Sequence, residues 1–408
     1  MKQSNKKPAK TPLIKQADIV IAGAGIVGQT LALELGTTGL SVLVIDAQKS
    51  LECKVEQPFS PRVSAISAAS QHHFERLGAW ENIARKQAYT HMQVWEQDGF
   101  GKIDFDNADI GLDALGHIIE NDQLAAALYN TAKAHPNIEY ALGNTIEKLV
   151  HTGDEYHIGL DDGAIIIARL LVGADGGNSF VRRSLSFKQS FWDYDHTAIV
   201  ANVQTKYPHE LTARQVFTPT GPLAFLPLGK ADDSRSQTCS IVWSQETEAA
   251  NRLLGMDAEA FCKALSVAID MQLGPCELIT DRFSYPLTMR YARQWVDESI
   301  ALVGDAAHTI HPLAGQGANL GIGDAVALAA NIQTSLDDGK PFFSKQRLRA
   351  YERERKAQAQ KVIATMEGFK RLFDGDDPLK KLIRNVGLTG ANTLTPIKQF
   401  FIEQAQGE

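Results

Sequence analysis

Six residues near the start of the chain, Gly23-Ala24-Gly25-Ile26-Val27-Gly28, restrict its fold more than any other stretch. They follow Asp18-Ile19-Val20-Ile21-Ala22, a β-branched apolar run that reads as a buried parallel strand. They precede Gln29-Thr30-Leu31-Ala32-Leu33-Glu34-Leu35, whose composition is helical. Gly36 and Gly39 close that helix, and Ser41-Val42-Leu43-Val44-Ile45 is a second buried strand ending at Asp46. A strand, a glycine turn, a helix and a second strand with a terminal acid is the order that adenine dinucleotide binding requires. Gly23 permits the tight turn, Gly25 lets the backbone approach a pyrophosphate, and Gly28 lets helix and strand pack closely. The helix N-terminus offers unpaired N–H groups and partial positive charge to the anion. Asp46 is placed to accept hydrogen bonds from an adenosine ribose. A glycine-rich turn with no ligand is the plain alternative, and the motif alone does not separate NAD from FAD.

Two later segments bear on that choice. Gly173-Ala174-Asp175-Gly176-Gly177-Asn178-Ser179-Phe180-Val181-Arg182 again puts an acid at the end of a buried strand, Ala168–Ala174. Ser299–Gly304 then delivers Asp305, followed by Ala306-Ala307-His308-Thr309-Ile310-His311-Pro312-Leu313-Ala314-Gly315-Gln316-Gly317-Ala318-Asn319 and a helix. Leu320 stands where a second dinucleotide fingerprint would need glycine, so this loop suits the other half of one long cofactor. Asp305 is placed for ribityl hydroxyls. The N–H groups of Gly317, Ala318 and Asn319 suit the flavin pyrimidine edge, which becomes anionic on reduction.

Between these segments the composition turns to strands from about Ala198 to Ser244, and an antiparallel sheet set between parallel segments predicts an inserted domain. Asp98-Gly99 reads as a hairpin turn, and Asn121 or Asp122 as the cap of a helix. The fold class is therefore α/β: a Rossmann-like FAD-binding domain with an inserted, mainly antiparallel β-sheet domain and a helical C-terminal region. The chain has 41 Lys+Arg against 48 Asp+Glu, a net charge of −7, which argues against a nucleic-acid partner. No apolar run approaches the ~18 residues of a membrane-spanning helix. Four scattered cysteines and a basic, non-apolar N-terminus predict a cytoplasmic protein.

These three motifs, with Pro312, resemble those of single-component FAD aromatic hydroxylases. The fuller resemblance is to the ubiquinone-biosynthesis branch of the UbiH/UbiF/VisC/COQ6 type. It is supported by Arg62-Val63-Ser64-Ala65-Ile66-Ser67, Leu77-Gly78-Ala79-Trp80, Leu115–Asn121 and Ala224-Phe225-Leu226-Pro227-Leu228. Phe191-Trp192-Asp193-Tyr194 and Arg214-Gln215-Val216-Phe217 look most like the 2-polyprenylphenol hydroxylases of that branch. The basic, non-apolar N-terminus reads as a disordered arm at 1–16, and the resemblance implies a discontinuous FAD-binding domain of residues 17–88, 117–187 and 283–343. It implies a substrate domain of 89–116 and 188–282, and a C-terminal helical region of 344–408. It further implies FAD as cofactor and NAD(P)H as a transient co-substrate.

By the same resemblance, Gly23, Ala24, Gly25, Ile26, Val27, Gly28 and Asp46 hold the ADP half of the cofactor. Asp175 lies near the pyrophosphate and the pyridine-nucleotide path, and Asp305 on the ribityl chain. Gly315, Gln316, Gly317, Ala318 and Asn319 meet the isoalloxazine, and Arg62 lies near it. Asp46 stands where many relatives carry Glu. Glu120-Asn121-Asp122 replaces the Arg that many soluble relatives carry nearby, so no phosphate contact is transferred there.

The implied activity is hydroxylation of a polyprenylated phenol: NAD(P)H reduces the flavin, O₂ adds at C4a, and the hydroperoxide delivers oxygen to the ring. The alternatives are the same chemistry on a small soluble aromatic compound, or a non-catalytic flavoprotein subunit. No catalytic base is assigned; His117 and Tyr194 are weak candidates. His308 and His311 lack a third ligand, so no metal is expected, and the cysteines read as inert core residues. The strand Leu223–Leu228, apolar on both faces, suits either core or the wall of a lipid-tail channel. A tail with Leu379, Leu382, Ile383, Ile397, Phe400 and Phe401 reads first as packing on its own or a neighbouring protomer of a homo-oligomer, and leaves open contact with the inner membrane surface or a biosynthetic complex.

Overall fold

The computed structural model describes residues 13–53, 57–97, 99, 101–229, 233–310 and 317–373. Three sheets organise these residues. The first is built on Ile14–Ala22, which pairs in parallel with Val42–Asp46 on one side and Ile165–Gly173 on the other. Ile138–Leu142 and Ile300–Leu302 extend it in parallel at either flank. The central strands are apolar on both faces: Ile19, Val20 and Ile21 are 0 % exposed, as are Leu170, Leu171 and Val172. Helices cover the sheet, as parallel strands require. Ile26–Leu35 packs against Gly317–Asp337, which in turn meets the long helix Lys345–Phe373.

The second sheet runs in the order His308–Thr309, Phe283–Ala292, Gln189–Thr205, Thr238–Glu246, Gly221–Leu228, Thr212–Thr218, His91–Glu96, Lys102–Asp106. Its strands are antiparallel except that His91–Glu96 runs parallel to Thr212–Thr218. Side chains alternate as a pleat demands. Ile199, Ala201, Leu223, Phe225, Ile241 and Trp243 form one core with the helices Thr247–Leu254 and Ala258–Ala268. The opposite face carries Asn202, Ser240 and Leu226, cross-strand neighbours of one another. A small third sheet joins Val63–Ile66, Gly116–Glu120 and Gln87–Tyr89.

The structure departs from the sequence reading at three places. The first strand begins at Ile14, inside the expected arm, because Ile14–Gln16 pair with Ile165–Ile167. Phe283–Ala292 and His308–Thr309, assigned from sequence to the cofactor domain, belong to the second sheet through pairing with Gln189–Thr205 and with each other. The helix Asn121–Ala132 has Glu120 as its N-cap with no side-chain cap, since Glu120 is engaged elsewhere and the Asn121 side chain accepts from Ser64 Oγ at 2.7 Å. The apolar tail from Leu379 onward, the arm before residue 13, Asp98, His311, Pro312, Gly315 and Gln316 lie outside the described residues. No described helix is long and apolar enough to cross a membrane.

Candidate functional site

The first turn is fixed by sterics on one side and open on the other. Gly23 has φ +106°, and a Cβ there would stand 2.4 Å from the Ala174 carbonyl oxygen, so the first motif rests directly on the second. A Cβ on Gly28 would stand 2.0 Å from Gly23 O, which is the close helix–strand approach the spacing predicted. Gly25 differs: its φ of −71° suits any residue, and among the described residues nothing beyond its chain neighbours lies within 4 Å of its would-be Cβ. The described residues do not themselves require glycine there, and the N-terminus of Ile26–Leu35 beside it has no side-chain cap, which leaves its N–H groups able to receive an anion.

Asp46 reaches back under this turn. Its Oδ2 accepts from Ala24 N–H at 2.7 Å and its Oδ1 from Gln48 N–H at 2.8 Å. The carboxylate therefore shapes the loop, and each oxygen keeps a lone pair for a further donor. Val27 links the first motif to the third, since a Cβ on Gly304 or Gly321 would meet its methyls at 3.0 and 2.6 Å. Ile26 packs against the main core.

Asp175 caps the short helix Phe180–Ser184, its Oδ2 accepting from Phe180 N–H at 2.7 Å and Val181 N–H at 3.1 Å. Its Oδ1 is buried without a hydrogen-bond partner, an acceptor left over at the junction of the motifs. Arg182, 4 % exposed, ties the second motif to the third by donating to Ala306 O at 2.8 Å and Gly177 O at 2.7 Å.

Asp305 follows Gly304 and is exposed, between the buried Gly304 and Ala306. The surrounding protein raises its pKa, with His308 and Arg62 pulling the other way. Arg62 is thus electrostatically coupled to Asp305, and its guanidinium lies 5.7 Å from the Tyr285 ring on the second sheet. Gly317 and Ala318 open the helix Gly317–Asp337, and among the described residues a Cβ on Gly317 would meet nothing within 4 Å beyond its chain neighbours. The Asn319 side chain is committed to the protein: Oδ1 accepts from Ser67 N–H and Ser70 Oγ, and Nδ2 donates to Ala65 O at 2.7 Å. What Asn319 leaves for a ligand is its backbone. All the described members of the predicted set therefore lie on three motifs that touch one another, with Arg62 facing them.

Two buried charge clusters escaped the sequence reading. Asp324, 0 % exposed, is held between His308 and Arg355. A signal existed: Asp324 lies four residues from both Leu320 and Leu328, on the apolar face of its helix. The other cluster is Arg85 with Glu120, 2.8 Å apart and both buried. Glu120 also accepts from Ser60 N–H at 2.6 Å, and Arg85 donates to Gln57 O at 2.7 Å and lies over the Phe59 ring. The pair staples the segment that leads to Arg62. Its partners are separated by 35 residues, and no local pattern announces them.

Of the weaker candidates, His117 packs edge-on against Trp80, and Tyr194 donates to Met289 Sδ at 3.4 Å. The ring of His308 is spent on Asp324. Burial pushes the Cys239 thiol up to about 12 and Cys276 up to about 11, which removes them as nucleophiles. Leu223–Leu228 gives one face to each reading: Leu223 and Phe225 are core, while Ala224 and Leu226 are only partly covered on the face opposite. A cavity of about 420 Å³ opens beside Ala68, Gln71 and His72, on the helix whose first turn grips Asn319.

Comparison with known proteins agrees with this geometry. The FAD binding domain family matches residues 16–366. The mitochondrial ubiquinone biosynthesis monooxygenase COQ6 of Homo sapiens is 33% identical over 433 residues, covering 94% of this chain and 91% of that protein. The 3-demethoxyubiquinol 3-hydroxylase of Escherichia coli (strain K12) is 33% identical over 392 residues, covering 96% and 98%. The ubiquinone hydroxylase UbiL of Rhodospirillum rubrum is 33% identical over 398 residues, covering 96% and 90%. Among solved structures, Pseudomonas aeruginosa PqsL in complex with 2-aminobenzoylacetate superposes with TM-score 0.75 at 22% identity, over 92% of this chain and 100% of that one. The p-nitrophenol 4-monooxygenase PnpA of Pseudomonas putida DLL-E4 gives TM-score 0.76 at 17% identity, over 97% and 98%. At such identities the structures establish the aromatic-hydroxylase fold.

Proposed function

Because the chain belongs to the ubiquinone-biosynthesis monooxygenases of the FAD binding domain family, we propose that it hydroxylates the ring of a polyprenylated phenol. It is a flavoprotein monooxygenase, with FAD as cofactor and NAD(P)H as the co-substrate typical of the family. The observation that carries the substrate reading is the end-to-end match to proteins from a human, an enterobacterium and a photosynthetic bacterium, all named for ubiquinone biosynthesis or a ubiquinone-type substrate.

The residues present fit FAD. Gly25 leaves a cradle the protein does not fill, and Asp175 holds a buried acceptor without a partner. In our reading Gly23–Gly28 and the helix N-terminus take the pyrophosphate, Asp46 the ribose and Asp305 the ribityl hydroxyls. Arg62 and the backbone N–H groups of Gly317, Ala318 and Asn319 face the isoalloxazine. When bound, FAD accepts hydride from NAD(P)H and activates O₂ for insertion into the ring. The chain's own task is to orient the substrate and exclude water. The partly covered face of the second sheet, with Ala224 and Leu226, supports a wall for an apolar tail. A peripheral contact with the membrane that carries such lipids follows from the same substrate reading.

The test is NAD(P)H oxidation by the purified yellow protein, with product analysis. A short-chain polyprenylphenol stimulates oxidation and gains one oxygen from O₂. Stimulation by small polar aromatic acids alone contradicts the reading, and so does a complete lack of turnover.

A further inference from the structure

The buried carboxylate of Asp324 ties together three separate elements. Its Oδ2 accepts from Gly304 N–H at 3.0 Å and pairs with His308 Nε2 at 2.6 Å. Gly304 immediately precedes Asp305 and His308 follows it by three residues. One oxygen therefore clamps both ends of the turn that presents the Asp305 carboxylate. The other oxygen, Oδ1, accepts from Arg355 Nε at 2.8 Å, and the same guanidinium donates to Leu320 O at 3.1 Å. Arg355 comes from the helix Lys345–Phe373 and passes over Gly323, where a Cβ would stand 2.8 Å from its Nη2.

That helix supports the same turn at two further points. Tyr351 donates its hydroxyl to Leu302 O at 2.8 Å, two residues before Gly304. Glu352 accepts from Trp295 N–H at 2.7 Å, and the Trp295 ring lies 4.8 Å from that of His308. Asp324, His308 and Arg355 are 0, 2 and 12 % exposed in their side chains, so the Asp324 carboxylate depends on the Arg355 charge and the His308 hydrogen bond. None of the three is exposed, whereas Asp305, in the turn they hold, is.

We propose that Asp324 is a positioning residue for the cofactor: clamped by Arg355 from the C-terminal helix, it holds Gly304 and His308 so that the Asp305 carboxylate meets the ribityl chain. The proposal rests on FAD binding at these motifs. It adds a coupling between the C-terminal helix and cofactor affinity that the motifs themselves do not contain.

The experiment measures FAD dissociation constants by flavin fluorescence on apoprotein reloaded with FAD, together with the apoprotein Tm. The variants are Asp324→Asn, Arg355→Met and Arg355→Lys, with Leu265→Ala in the second-sheet core as a stability control. The expected result is FAD binding weakened about tenfold to a hundredfold in Asp324→Asn and Arg355→Met, the effect of losing a charged hydrogen bond. Arg355→Lys recovers most of the affinity. Leu265→Ala lowers Tm but leaves FAD affinity as in the parent. Unchanged FAD affinity in folded Asp324→Asn overturns the proposal, and so does a loss that the control reproduces at equal Tm. Should Asp324→Asn fail to fold, the two Arg355 variants decide: a difference between them supports the clamp and equal wild-type affinity refutes it. Failure of the parent protein itself to bind FAD refutes the cofactor reading instead.

Discussion

The two large sheets use their side chains in opposite ways. In the first, the central strands are buried on both faces, and the acids Asp46, Asp175 and Asp305 stand at or just past strand ends beside glycine turns. In the second, one face is given to the helices Thr247–Leu254 and Ala258–Ala268, and the other, with Asn202, Ser240 and Leu226, meets the segment that leads to Arg62. Asn202 shows the direction by donating to Phe59 O at 2.9 Å and Ser60 O at 3.2 Å. A ligand gripped by backbone at strand ends dictates glycines and acids at fixed spacing. A ligand gripped by a sheet face dictates only size and polarity at alternate positions.

Perturbations at the two sheets therefore separate cofactor binding from substrate handling. Gly25→Glu has the largest effect: a carboxylate placed where the pyrophosphate belongs abolishes FAD retention, read as loss of the yellow colour on purification, while the apoprotein keeps its Tm because the site is sterically open. Retention of full FAD occupancy would break the comparison at its strongest point. Arg85→Met comes next. It strands Glu120, whose pKa is already raised by burial, and costs about 3–5 kcal/mol of stability by thermal or denaturant unfolding. The double variant Arg85→Met/Glu120→Leu recovers much of that loss.

The third prediction concerns acid. Burial alone would raise the Asp324 pKa, but His308 and Arg355 outweigh it and hold the group below its ordinary 3.8. A depressed carboxyl contributes stability above 3.8 and loses it as pH falls through the folded value, so Asp324→Asn flattens the acid limb of the Tm–pH curve. An unchanged limb would mean the carboxylate is not held ionised. The smallest effect belongs to the second sheet. Leu226→Asn raises KM for a prenylated phenol by about a fewfold, leaving FAD affinity alone, as expected for losing part of one buried apolar side chain. Equal effects on short- and long-tailed substrates would remove Leu226 from the tail wall.

This contrast also explains what could be read in advance. The first strand, turn and helix follow from Ile19–Ala22 and Gly23–Gly28, because each residue there answers a backbone constraint. Asp175 and Asp305 were visible as acids at strand ends. For Asn319 only the backbone N–H was read from the sequence; that its side chain grips Ser67, Ser70 and Ala65 was not legible, since sequence does not say which atoms of a residue are already engaged. Arg85 with Glu120, and Asp324 with Arg355, depend on pairings across distant elements, and nothing near them in the chain encodes the partner. The membership of Phe283–Ala292 in the second sheet was missed for a related reason: pairing partners of a strand are set by topology, and its own alternation fits either sheet.

The most direct test of the account is a crystal structure of the FAD-loaded protein, read at Asp305. The account predicts the ribityl hydroxyls within hydrogen-bond distance of that carboxylate and the pyrophosphate seated over Gly25. FAD bound with Asp305 turned away from it, or outside the cleft that the three motifs enclose, would contradict the central claim.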